Sequence, residues 1–138
     1  MSRILGIDPG TKRCGVAITD SARTLAFPRP ALEANDSLLA KLGELVEEEL
    51  VGLVVVGRPV ALSGNETAST EAADGLYKAI AAALTPIPVI QWDERLTTLE
   101  AQRSLSGAGM KAKNQRERID SAAAVIMLQN YVDGLHAD

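Results

Sequence analysis

The hydrophobic positions of this chain change period several times, and each change predicts an element. Arg3-Ile4-Leu5-Gly6-Ile7-Asp8 is a short, largely apolar run closed by Pro9-Gly10-Thr11, the pattern of a buried strand and a turn. Cys14 to Asp20 follows so closely that a hairpin is the natural connection. A third strand is predicted around Thr24 to Phe27, stopped by Pro28 and Pro30. Between Asn35 and Leu50 the spacing of Leu38, Leu42, Leu45 and Val46 beside acidic positions predicts an amphipathic helix. Gly52 to Gly57 has the unbroken β-branched character of a central strand covered on both faces.

An Ala-rich helix is predicted from Glu66 to Leu84, with Pro86 and Pro88 enclosing the turn into a strand at Val89 to Trp92. A short helix is expected at Leu99 to Ser106, ended by Gly107 and Gly109, and then an exposed loop from Met110 to Lys113. Asn114, with Glu117 three residues on, has the form of a capping box launching a last helix to about Val132. Ile119, Ala123, Ile126 and Asn130 or Tyr131 are its expected packed side. The whole predicts one α/β domain over residues 1–138, a central mixed five-stranded sheet flanked by helices.

Aromatic residues are 3% of the chain against 46% hydrophobic overall, so the core must be mainly aliphatic. The single cysteine, Cys14, excludes an internal disulfide and fits a reducing, cytoplasmic setting as a small buried apolar residue. No apolar segment approaches the roughly 18 residues of a membrane span, and the N-terminus reads as a strand instead of a signal peptide, so no membrane partner is expected. The formal net charge is −4, which argues against indiscriminate binding of polyanions. The charge is uneven, however: Glu33 to Glu49 carries six acidic residues and one lysine, whereas Arg95 to Arg118 carries six basic residues and two glutamates. A polyanion could dock on the second segment while the first faces solvent.

Asp8 ends a strand predicted to be buried, where an ionised carboxylate needs a partner or a metal. Asp93-Glu94 falls at a comparable strand end, and Asp120 lies near the start of the last helix. Strands that enter crossovers place their C-terminal ends along one sheet edge, so these acidic sites are expected to meet. Carboxylates without histidine or thiolate suit Mg²⁺ or Mn²⁺, and two such ions about 3.5 to 4 Å apart can support hydrolysis of a phosphodiester. Lys12 and Arg13 after the first turn are candidates to face phosphate, as are Arg58, Arg95, Lys111, Lys113 and Arg116. Thr97 and Thr98 suit a helix cap, Trp92 suits core packing, and His136 near the end reads as surface.

Asp8-Pro-Gly-Thr-Lys-Arg-Cys-Gly-Val-Ala, Gly57-Arg-Pro with Gly64, Asp93-Glu-Arg-Leu-Thr-Thr and Ile119-Asp-Ser-Ala-Ala-Ala-Val together resemble the YqgF/RuvX family of bacterial pre-16S ribosomal RNA nucleases, which are Holliday junction resolvase-like. The resemblance spans Ile4 to about Tyr131. It implies a ribonuclease-H-like fold and a metal-dependent endonuclease in 5′-end maturation of 16S ribosomal RNA, acting on structured RNA or a pre-ribosomal particle. Asp8, Glu94 and Asp120 carry over as catalytic residues and metal ligands, with Asp93 the alternative to Glu94. The sequence departs at Arg58, where the family usually has Leu, and at Pro9, where many relatives have a larger apolar residue. The junction-resolving cousins share Asp-Pro-Gly, which keeps branched DNA open as substrate, the chain acting as monomer or homodimer. A noncatalytic ribosomal RNA-binding factor is the reading from a different class. An actin-like phosphotransferase shares the first glycine turn, but the chain lacks room for a second nucleotide-clasping domain.

Overall fold

The computed structural model describes residues 2–59, 67–93 and 112–136, with the backbone alone described at Ser69, at 112–120 and at His136. In chain order the elements are β1 (Arg3–Asp8), β2 (Arg13–Thr19), β3 (Ala26–Glu33), α1 (Leu38–Glu48), β4 (Val51–Arg58), α2 (Ala68–Ala83), β5 (Val89–Asp93) and α3 (Ala112–His136). The strands form one sheet in the order β3-β2-β1-β4-β5. β1 is antiparallel to β2, and β2 to β3, while β1, β4 and β5 run parallel. This is the expected mixed five-stranded sheet.

Strand periodicity sorts the core into two layers. Leu5, Ile7, Val54 and Val56 face α1 and α2, and pack with Leu38, Leu42, Leu45, Val46, Ile80 and Leu84. Ile4, Ala17 and Val55 face the other way, against Ala124, Val125, Met127, Leu128 and Val132 of α3. The continuous run in β4 therefore reflects burial on both sides, as its sequence implies. α1 buries Leu38, Leu42, Leu45 and Val46, the four positions that its periodicity singled out.

β3 differs from its expected form. It runs on through Pro28 and Pro30 to Glu33, because it is the edge of the sheet. A proline there costs no ladder partner on the open side, and two of them hinder another strand from adding. α3 begins at Ala112, so Ala112 and Lys113 are helical instead of loop. Both are good helix formers and extend the helix upstream of Asn114. Ala123 is exposed, whereas Ser121, Ala124, Leu128 and Val132 are buried, at spacings of three, four and four residues. The predicted short helix at 99–106 and the loop at 60–66 lie outside the described residues.

Gly6 shows how closely α3 lies on the sheet. A Cβ placed there would stand 3.1 Å from Leu128 Cβ and 3.2 Å from its Cδ2. At the far side of α3, Trp92 of β5 meets Tyr131 edge to face, with ring centroids 5.3 Å apart. Trp92 thus packs in the second core layer, and no membrane-length apolar helix occurs among the described residues.

Candidate active site

Because β1, β4 and β5 are parallel, their C-terminal residues Asp8, Arg58 and Asp93 lie at one edge of the sheet. Asp8 is half-buried and pairs with Gly15 of β2. It has the parity of Ile4 and Gly6, which face α3, so its side chain belongs to the α3 face. Pro9, Gly10 and Thr11 then turn the chain, and the Ala34 amide donates to the Lys12 carbonyl at 2.8 Å, tying the turn to the β3–α1 junction. Gly10 is required at that bend for space: a Cβ there would stand 2.2 Å from the Arg13 carbonyl oxygen. Lys12 and Arg13 are exposed just beyond it.

Ser121 brings α3 to the same edge. Its buried hydroxyl accepts the Val16 amide at 3.1 Å and donates to the Arg29 carbonyl at 2.7 Å. Val16 is the β2 partner of Ile7, one residue before Asp8. Seven residues along α3, Leu128 sits over Gly6, so the helix enters at the C-terminal edge of β1 and proceeds back along the strand. Asp120 immediately precedes Ser121 in sequence; its backbone is helical and its side chain lies outside the described residues. Glu94, Arg95 and Lys111 lie outside as well, as do the side chains of Lys113 and Arg116.

β5 alternates in the same way. Ile90 and Trp92 face α3, while Val89 and Gln91 face α2, where the Gln91 amide donates to Asp74 at 2.8 Å. Asp93 has the parity of Gln91 and is the register partner of Arg58. Arg58 also faces α2, giving Nε to Asp74 Oδ1 at 3.0 Å and Nη2 to Oδ2 at 3.2 Å. That fork, followed by the Gln91 hydrogen bond, lowers the Asp74 carboxyl below its ordinary range. Sequence reasoning set Arg58 against nucleic acid and did not single out Asp74 or Ser121. Asp74 carries no local signal, since its partners lie 16 and 17 residues away in sequence.

Of the expected carboxylate set only Asp8 and Asp93 have described side chains, and they point to opposite faces by strand parity. Among the described residues no three His, Cys, Asp or Glu side chains are grouped for a metal ion. A cleft of ≈ 400 Å³ opens on the α1 and α2 side of the turn, lined by Gly10, Thr11, Cys14, Asn35, Leu38 and Leu76 among others. Cys14 is 0% exposed, and burial raises its thiol pKa above the ordinary value, so it is a packed neutral thiol.

A mixed five-stranded sheet in this order, with one helix crossing the edge that carries an acidic strand end, is a ribonuclease-H-like fold. Two solved structures share that fold over nearly their full lengths. Thermus thermophilus RuvC in complex with a Holliday junction substrate is 14% identical, with a TM-score of 0.59, covering 99% of this chain and 97% of its own. Fowlpox virus resolvase with Holliday junction DNA is 11% identical, with a TM-score of 0.61 and coverage of 98% and 99%. The chain belongs to the RuvX family, whose model, described as Holliday junction resolvase, matches residues 2–134. Relatives named provisionally as pre-16S rRNA nucleases include one from Mycobacterium leprae strain TN, 45% identical over 98% of this chain and 74% of its own. Another, from Mycobacterium ulcerans, is 47% identical over 95% of this chain and 78% of its own.

Proposed function

We propose that the protein is a divalent-metal-dependent endonuclease that hydrolyses phosphodiester bonds in the 5′-end maturation of 16S ribosomal RNA. The observation that carries this reading is the meeting of two elements. The Asp8 end of β1 presents its carboxylate to the α3 face, and Ser121 fastens the start of the packed part of α3 beside it. Family membership, through relatives named for that ribosomal RNA activity, supplies the substrate class.

The ligand set we assign is Asp8, Glu94 and Asp120. Asp93 shares the parity of Gln91 and the α2 face, opposite to the α3 face that Asp8 takes. This favours Glu94 over Asp93. An all-oxygen donor set with a half-buried aspartate at its centre fits Mg²⁺ or Mn²⁺ and has no place for a soft metal. When bound, such ions supply charge neutralisation for phosphodiester hydrolysis.

The chain's own residues do the rest. Asp8 anchors the site on the central strand of the sheet, Gly10 lets the following turn close tightly, and exposed Lys12 and Arg13 are set to receive backbone phosphate next to it. An enzyme of ribosomal RNA precursors works in the cytoplasm. Junction cleavage is the second reading, favoured by the description of the family model. The test is a parallel assay of precursor ribosomal RNA and four-way junction DNA with Mg²⁺ or Mn²⁺. Specific cleavage of the RNA by wild type, lost in Asp8→Asn, supports the proposal; cleavage of the junction alone transfers the activity to DNA.

A further inference from the structure

The parallel strand ends are gripped from the α2 side by polar groups that the acidic site does not use. Thr70, Asp74 and Tyr77 are four and three residues apart and so share one face of α2. The Thr70 hydroxyl donates to the Pro59 carbonyl just after β4, and the Tyr77 hydroxyl donates to the Val89 carbonyl at 3.2 Å at the start of β5. Between them Asp74 binds both strands at once, through Arg58 of β4 and Gln91 of β5.

β5 is a strand of five residues, and among the described strands only β4 pairs with it. Its C-terminal end therefore has fewer lateral hydrogen bonds to hold it than a central strand has. β4 separates it from β1, so the distance from Asp8 to Asp93 depends on both strand ends keeping their places. A charge-assisted fork on Arg58, together with a hydrogen bond from Gln91, supplies that constraint.

We propose that Asp74 is a positioning residue of the active site: by holding Arg58 and Gln91 on one carboxylate it fixes where the C-terminal end of β5, at Asp93, lies relative to Asp8. The proposal rests on the metal-dependent nuclease reading. Asp74 lies on the α2 side of the sheet, opposite the α3 face to which Asp8 belongs, and so acts through the strands.

The full chain is compared with Asp74→Ala and Asp74→Asn by three measurements. Amide hydrogen exchange at Trp92 and Asp93 should quicken about tenfold in Asp74→Ala, with Leu5 and Ile7 of β1 unchanged. On precursor ribosomal RNA with Mn²⁺, kcat should fall roughly tenfold or more at unchanged KM, because ligand placement is lost while substrate contacts remain. Quenching of the single tryptophan, Trp92, by Mn²⁺ should shift to several-fold higher metal concentration. Asp74→Asn keeps one acceptor and should lie between wild type and Asp74→Ala in all three; it carries the test if Asp74→Ala does not fold. Wild-type exchange at Trp92 and Asp93, an unchanged kcat and Mn²⁺ midpoint, or a loss confined to KM, would overturn the proposal. Failure of the underlying nuclease reading shows elsewhere, as a wild-type chain that neither binds Mn²⁺ nor cleaves.

Discussion

Ser121 and Val16 stand 105 residues apart in sequence and share a buried hydrogen bond of 3.1 Å. The same hydroxyl satisfies the Arg29 carbonyl, so one small side chain joins α3 to two strands at the edge where Asp8 ends β1. A helix held only by apolar contacts could slide along the sheet; these bonds, with those of Gln129 to the Ala26 amide and the Thr24 carbonyl further along α3, fix its register.

Ser121→Ala should therefore strand a buried amide and a carbonyl. The expected loss is about 1–3 kcal/mol, the range for a buried group left without its partner. Urea unfolding measures it. Activity should fall further than the unfolded fraction accounts for, because Asp120 is carried by the same turn.

Gly10→Ala tests the turn after Asp8. The 2.2 Å approach to the Arg13 carbonyl oxygen leaves no room for a methyl group, so the bend must open. Because Gly10 is exposed, the core should be spared. Cleavage should fall roughly tenfold or more with a small change in melting temperature; a fully active variant would show that the turn geometry is not needed.

Much of this arrangement is legible in the sequence. The apolar run ending in Asp8, the helical spacing of Leu38, Leu42, Leu45 and Val46, and the uninterrupted valines of β4 each report local periodicity, and the structure agrees with each. β3 was harder, since proline weighs against a strand unless that strand is known to lie at an edge, and edge position is a property of the whole sheet. Ser121 and Asp74 were silent for a related reason. Each is a polar residue on an Ala-rich helix, and its meaning comes from partners distant in sequence. Arg58 shows the converse: its position at a strand end was readable, but its carboxylate partner on α2 was not.

The Asp74 carboxyl predicts a pH dependence. Its folded-state pKa is lowered, first by the Arg58 hydrogen bonds and then by Gln91, with further help from the charges of Arg58 and Lys78. A lowered carboxylate pKa stabilises the fold above the unfolded value near 3.9, and that contribution disappears as pH falls through the folded value. The difference in melting temperature between wild type and Asp74→Asn should be constant from neutral pH to about 5 and narrow below about 4. A difference that widens on acidification would contradict the assignment.

Leu50 offers a stabilising change remote from the site. It is 75% exposed at φ 54°, a left-handed conformation between α1 and β4 that costs a residue with a Cβ about 1 kcal/mol. Leu50→Gly should raise stability by up to about 0.5 kcal/mol, after allowing for the added freedom of glycine in the unfolded chain. Thermal unfolding of the variant, with nuclease activity unchanged, checks both the conformation and its distance from function.

The most direct measurement is cleavage of precursor 16S ribosomal RNA by wild type and Asp8→Asn, with Mg²⁺ or Mn²⁺ and with the metal chelated. Circular dichroism should first confirm that both chains are folded. The prediction is metal-dependent cleavage by wild type and a loss of at least about a hundredfold in folded Asp8→Asn, the scale expected when charge stabilisation at the reacting phosphate is removed. Cleavage that survives chelation, or that Asp8→Asn performs at the wild-type rate, would contradict an active site built on Asp8.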